Sequence, residues 1–377
     1  MGSKICHITT VHKPFDNRIF FKECISLRDA GHEVTLLCAR ATTQRRDGVT
    51  IIGFPGHTGR IKRFFLTSFI DVYREAIKVN ASIYHLHDPE LIWMGLRLKM
   101  AGKKVIMDLH ENNAAAILSR PYVKSAFLKK FLSIAIKKVE GWLLPYFDAI
   151  VTARPDISAL FPKLHPVTLR NFPVLPDYDS IPVSTIVKTK PSLIYVGGAS
   201  VIRGTKELIA AMEYCPEAEL WILGPFESET FQRECENLAG WKQVRYLGVV
   251  EATEIFSYIK AADIGIITFL PFPNHITTLA TKPFEYMACG LPMIMSDFPY
   301  WRAFFGDSSL YTDPADPKAI ANSIHRLLND HELRENMREK NLRLAREEFN
   351  WQTEKKGLLK VYENLELELR KSPGVKV

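Results

Sequence analysis

Four short stretches of this 377-residue chain combine residue types that can do chemistry. His85-Leu86-His87-Asp88-Pro89-Glu90 sets two imidazoles two residues apart, so an extended strand points both to one side. Asp108-Leu109-His110-Glu111-Asn112 ends a second apolar run in the same way. Gly197-Gly198, then Arg203-Gly204-Thr205-Lys206, ends a third run in a glycine turn that leads into a helix. Such a helix start offers free N–H groups and a favourable dipole to a phosphate. The Arg203 fork would add a permanent bidentate cation. The alternative is a tight glycine turn beside a solvated arginine. In the fourth stretch, 281–294, Pro283 suits the first turn of a helix and Gly290 its end. Glu285 then stands one turn in, where a carboxylate can meet ligand hydroxyls, three residues after Lys282.

These stretches need a scaffold that brings strand ends together. Apolar, β-rich runs at 34–38, 83–86, 104–109 and 149–152 alternate with helical periodicity at 18–30 and 89–101. Near-continuous apolar strands alternating with helices predict a parallel sheet covered on both faces, with ligands outside the carboxyl ends of its strands. The segment 172–191, with Pro173, Pro176, Pro182 and Pro191 among polar residues, breaks the rhythm as a linker would. A second series follows at 192–196, 220–223, 244–247, 264–269, 292–296 and 310–312, and helical periodicity fills the chain from 316 onward. The predicted fold class is α/β, with two Rossmann-like domains. The expected boundaries are 1–172, a linker at 173–190, a second domain at 191–350 and a final helix at 351–377.

Composition narrows the function classes. At 47% hydrophobic and 24% charged, the chain is ordinary for a globular protein. Six dispersed cysteines form no CxxC pair, which suits buried thiols in a reducing compartment. No apolar h-region precedes the first strand and no run nears the roughly 20 residues of a spanning helix, so a cytoplasmic location is expected. His87, Asp88, His110 and Glu111 are zinc-ligand types, but no HExxH-like spacing accompanies them and no metal is expected.

The stretch 281–294 resembles the donor-site signature of the family 4 retaining glycosyltransferases, also called group 1, which have the GT-B fold. That resemblance implies two domains facing across a cleft, with the C-terminal helix crossing back to the first. It implies a nucleotide-diphosphate sugar as substrate, no cofactor, and transfer to a hydroxyl acceptor with retention, as in cell-surface polysaccharide or lipid-linked glycan synthesis. By the same resemblance Glu285 holds the ribose, Gly197, Gly198, Arg203 and Gly204 the diphosphate, and His87 lies beside the transferred sugar. His87, Arg203 and Glu285 are then the catalytic set. The acceptor side falls to Asp16, Arg18, Asp88, His110 and Glu111, although Asp16 or Asn17 equally suits a helix cap. Two departures from the family pattern stand out. Its first glutamate falls at Thr277, beside Asn274, His275 and Thr278, and its usual arginine falls at Gly198, leaving Lys206 or Lys282 as the second cation. Rival readings are a nucleotide-sugar epimerase of the same fold and a non-catalytic nucleotide- or glycan-binding scaffold.

Charge is uneven: 26 Lys and Arg against 14 Asp and Glu through position 175, and 23 against 28 beyond it. Between 120 and 146, Lys124, Lys129, Lys130, Lys137 and Lys138 interleave with Phe127, Leu128, Phe131, Leu132, Ile134 and Ile136. Arg60, Lys62, Arg63, Phe64 and Phe65 form a second such patch. Basic residues edging an apolar helix face suit the surface of an anionic membrane; a core helix with a solvated basic face is the alternative. No nucleic-acid-binding motif is present.

Overall fold

The computed structural model describes residues 2–56, 71–119, 125–182, 184–251 and 254–371. The 60–65 patch and Lys124 lie outside them. The chain divides into two compact units, 1–171 with 351–377, and 172–350.

The first unit holds strands β1 (Lys4–Thr9), β2 (Glu33–Ala39), β3 (Gln44–Arg46), β4 (Val49–Phe54), β5 (Ile83–Leu86), β6 (Lys104–Leu109), β7 (Ala149–Thr152) and β8 (Val167–Thr168), in the order β3-β4-β2-β1-β5-β6-β7-β8. Every pairing is parallel except β3 with β4. One face packs Cys6, Ile8, Tyr84, Leu86, Val105 and Met107 against helices Val72–Val79 and Ile92–Met100. On the other, Ile5, Leu36, Ile83 and Ile106 meet Phe20, Leu27, Leu358 and Tyr362. The final helix, Trp351–Lys371, therefore completes the core of the first unit, and Trp351 Nε1 donates to Ser26 Oγ at 2.9 Å. The helix expected at 18–30 opens with a π-helical turn, Ile19–Cys24, before an α-helical stretch, Ile25–Asp29.

The second unit holds β9 (Ser192–Val196), β10 (Glu219–Leu223), β11 (Val244–Gly248), β12 (Ile264–Ile267), β13 (Met293–Ser296) and β14 (Leu310–Thr312), all parallel, in the order β11-β10-β9-β12-β13-β14. The order reverses between β9 and β12, a switch point where ligands bind in open α/β sheets. The segment expected as a linker is not free. Phe172, Leu175 and Ile181 are buried in this unit's core, and Lys260 Nζ donates to the carbonyls of Tyr178 and Ile181 at 2.8 and 3.0 Å. Its apolar residues hold it to the sheet's helices despite its prolines. All six cysteines are free and buried.

Candidate functional site

In the second unit the chemistry gathers at the carboxyl ends of β9 and β12. The turn after β9 runs through Gly197 and Gly198 to Arg203, whose Nη1 donates to the Gly198 carbonyl at 3.1 Å. The half-buried Arg203 guanidinium also lies over the Phe269 ring at 5.6 Å. Gly204 adopts φ 65°, and a Cβ there would fall 1.9 Å from the Thr268 carbonyl oxygen, so only glycine lets this turn close against the end of β12. Ile202 O accepts from Leu270 N at 3.0 Å, locking the two loops together. Gly204 then caps helix Thr205–Ala211.

Helix Lys282–Ala288 follows β12, and Pro283 sits in its first turn. Tyr286 ties it to β9 by donating to Ile194 O and accepting from Val196 N, both at 3.1 Å. One turn of this helix pairs Lys282 Nζ with Glu285 Oε2 at 2.6 Å. Burial raises the Glu285 carboxyl above its ordinary range, and Lys282 opposes that shift. Lys206 takes no part here: its amine pairs with Glu234 at 3.0 Å on the neighbouring helix. Lys282 is therefore the lysine beside Glu285. Thr277, standing where the family pattern has glutamate, is exposed and donates its hydroxyl to Pro273 O at 2.9 Å. Thr278 accepts from Trp301 Nε1 at 2.7 Å through its carbonyl.

In the first unit a polar stripe crosses the sheet. Period-2 alternation puts His7, His85, His87, Asp108 and His110 on the face shared with Ile5, Ile83 and Ile106, and the register sets His7 opposite His85. The segment from Arg18 to Glu23 covers this stripe. Arg18 Nε and Nη2 donate to the two Asp108 carboxylate oxygens at 3.1 Å each, and Nη1 to Leu169 O at 2.6 Å. The acceptor role expected of Arg18 is thus corrected: its guanidinium is buried and fully engaged inside the unit. Burial alone would raise Asp108, but Arg18 and then His110 hold its carboxyl well below the usual range. Burial pushes Lys22 down to about 8, and its amine donates to Asn171 Oδ1 at 2.6 Å.

His87 is corrected in the same way. Its side chain has 0% exposure, with Nε2 2.9 Å from His7 Nδ1 and Nδ1 3.4 Å from Asp108 Oδ2. Burial lowers its pKa to about 4. Beside this stripe, His12 and His110 reach the surface, with side chains 28% and 19% exposed and ring centroids 5.0 Å apart. His110 Nε2 lies 3.0 Å from Asp108 Oδ2. Asp88 is buried. It accepts from Thr9 Oγ1 at 2.9 Å and Thr10 N at 2.6 Å, and so fixes the loop that carries His12. Asp16 serves as a cap, its Oδ1 accepting from Arg18 N and Ile19 N at 2.8 and 3.0 Å, while Oδ2 meets His12 Nδ1 at 3.1 Å. Glu111 is exposed. Sequence reasoning missed His7, His12 and Glu23; His7 and Glu23 had one visible signal, a polar side chain within an apolar run, whereas His12 lies in the polar loop after β1.

Among known proteins, the family model described as Glycosyltransferase Family 4 matches residues 17–176, and that described as Glycosyl transferases group 1 matches 179–343. A phosphatidyl-myo-inositol mannosyltransferase of Mycolicibacterium smegmatis is 22% identical over 363 residues, 90% of this chain and 87% of that protein. The structure of a sucrose-phosphate synthase from Thermosynechococcus elongatus superposes with a TM-score of 0.68 at 16% identity, covering 97% of this chain and 100% of that one. The Anabaena protein HepE in complex with UDP-glucose superposes with a TM-score of 0.62 at 12% identity, covering 98% and 100%.

Proposed function

We propose that this chain, which belongs to the group 1 glycosyl transferases and has the GT-B fold, moves a sugar from a nucleotide-diphosphate donor to a hydroxyl acceptor with retention. The observation that carries this reading is the pairing of the Arg203 loop with the Glu285 helix at adjacent strand ends of one sheet. There Arg203 neutralises the diphosphate, and its charge counts most as the bond from the anomeric carbon to the phosphate oxygen breaks and negative charge grows on the leaving group. Glu285, as a carboxylate, accepts from the ribose hydroxyls, and Lys282 stands by as the second cation. That HepE was solved with UDP-glucose supports a uridine diphosphate sugar as the first donor to try. On the acceptor side, the surface imidazoles His12 and His110 and the exposed Glu111 carry the role expected of His87. A cell-surface or lipid-linked glycan is the setting this reading favours.

The acceptor's lipid character finds support on helix Ala126–Leu143. Phe127, Phe131, Ile134 and Trp142 recur at 3.6-residue spacing and are exposed, Phe127 to 82% and Trp142 to 64%. Lys130 and Lys137 edge the stripe, and only Glu140 and Leu143 of this helix are buried. Such a stripe fits the interface of an anionic leaflet, where each lysine adds about 1 kcal/mol. No described helix is long and apolar enough to cross a membrane.

Donor turnover by Arg203→Ala and Glu285→Ala proteins is the deciding experiment. Each variant should retain the wild-type fold and lose donor affinity by roughly 10–100-fold, the worth of a hydrogen bond to a charged group. If both are folded and turn over a panel of nucleotide sugars at the wild-type rate, the donor assignment is wrong. Thermal stabilisation by candidate nucleotides identifies which donor to use.

A further inference from the structure

The polar stripe of the first unit contains a cluster that the transfer chemistry does not use. His7, His85, His87 and Glu23 all have side chains with 0% exposure. Buried polar atoms are almost always hydrogen-bonded. Glu23 breaks that rule. Its Oε1 lies 3.0 Å from Arg18 Nε, but too obliquely for a hydrogen bond, and neither carboxylate oxygen has a hydrogen-bond partner among the described residues. Oε2 instead stands at nearly equal distances from three imidazole nitrogens: 3.9 Å from His7 Nδ1, 4.0 Å from His85 Nδ1 and 3.9 Å from His87 Nε2. His7 Nδ1 and His87 Nε2 are 2.9 Å apart, and all four ligand atoms lie within 4.8 Å of one another.

A proton on Glu23 would cancel its charge, with Asp108 as its hydrogen-bond partner, but would engage none of the three imidazoles around Oε2. A cation among the four atoms engages all of them at once. Tetrahedral zinc holds nitrogen and oxygen ligands at about 2.0–2.1 Å, which separates them by roughly 3.3 Å. The four separations above, 2.9–4.0 Å, bracket that value, and with every pair inside 4.8 Å the atoms close on it with shifts of up to about an ångström. The outer groups also suit a metal. His87 Nδ1 faces Asp108 Oδ2 at 3.4 Å and His7 Nε2 faces Tyr362 Oη at 3.2 Å, the carboxylate and hydroxyl partners that orient metal-bound imidazoles; Tyr362 Oη also lies 2.8 Å from His85 Nδ1, a hydrogen bond that metal binding would replace. Arg18 already donates twice to Asp108, so one guanidinium faces two buried carboxylates.

We propose that His7, Glu23, His85 and His87 form a closed zinc site that fastens β1 and β5 to the π-helical turn above them. With four protein ligands and no open position, the site is structural rather than catalytic, and it asks nothing of the donor chemistry in the other unit.

The test is metal content, read independently of sugar transfer. Untagged protein from zinc-supplemented growth, passed through chelator, should keep about one zinc per chain. Protein from cobalt-supplemented growth should show the intense visible bands of tetrahedral cobalt. Glu23→Gln and His85→Ala should lose the metal, and the gentler Tyr362→Phe should weaken zinc binding by roughly 10–100-fold. His110→Ala and His325→Ala should retain it; they alter the other two His and acid groupings, His87–Asp108–His110 and Cys215–Glu217–His325. Wild-type protein without metal or a tetrahedral cobalt spectrum overturns the proposal. So does zinc that survives Glu23→Gln and Tyr362→Phe but leaves with His110→Ala or His325→Ala.

Discussion

Lys282 Nζ and Glu285 Oε2 meet at 2.6 Å across one turn of the helix that follows β12. Because burial raises the Glu285 carboxyl, its folded-state pKa exceeds its unfolded one. Its contribution to stability is then fully present below about 4.5 and is lost as pH rises through the raised value. On the proposed reading donor binding runs the other way, since a ribose held by Glu285 needs the ionised form. Lys282→Met removes the opposing cation and should move the acid limb of donor affinity to higher pH. Glu285→Gln should flatten that limb, weaken donor binding and raise the melting temperature of the free protein at neutral pH. Titration of donor affinity from pH 5 to 9 in the three proteins checks all of this.

Arg18 is expected to matter for folding far more than for turnover. Arg18→Met leaves Asp108 and Glu23 buried without their cation, the kind of change that costs about 3–5 kcal/mol. Chemical denaturation should show the loss. An Arg18→Met protein of wild-type stability with its acceptor KM alone raised would return the residue to the acceptor surface.

The His12–Asp16 pair gives a separate pH signature. Its hydrogen bond is the main reason that the His12 pKa is raised, so its stabilisation is full below about 6.5 and fades as pH climbs through the raised value. Asp16→Asn should cost about 1 kcal/mol through the weakened cap and return the His12 ring titration toward 6.5. The stability gap from wild type should narrow toward alkaline pH. An unmoved His12 resonance titration would disprove the link.

Helix Ala126–Leu143 should bring the protein to anionic vesicles. Phe131→Glu and Trp142→Glu alter exposed side chains, so they should leave the fold intact and lower vesicle partitioning by at least about tenfold each. Added salt should weaken wild-type binding. Equal sedimentation of all three proteins would remove the membrane claim.

Much of this was readable in the chain beforehand, and what was not has physical reasons. The runs at 83–86, 104–109, 149–152, 192–196 and 310–312 are the strands Ile83–Leu86, Lys104–Leu109, Ala149–Thr152, Ser192–Val196 and Leu310–Thr312, because strands buried on both faces leave unbroken apolar text. The edge hairpin of β3 and β4 escaped notice because Gln44, Arg45 and Arg46 are all exposed and no core dictates their types. The π-helical turn is silent in a pattern read at 3.6 residues per turn. In the site, His85 and His87 could be set on one face from spacing alone. That His7 joins them depends on the register between β1 and β5, and that Tyr362 does depends on a helix residue 277 positions after His85. Lys206 looked as useful as Lys282 until Glu234, on another helix, claimed it.

The helix Trp351–Lys371 seals a core whose strands were made first. During synthesis, residues 172–350 emerge with everything their own sheet requires, while the earlier unit must wait with Ile5, Phe20 and Leu358's counterparts uncovered until the final turns leave the ribosome. A chain cut short before Trp351 would therefore carry a second unit with its whole core and a first unit whose core stays open.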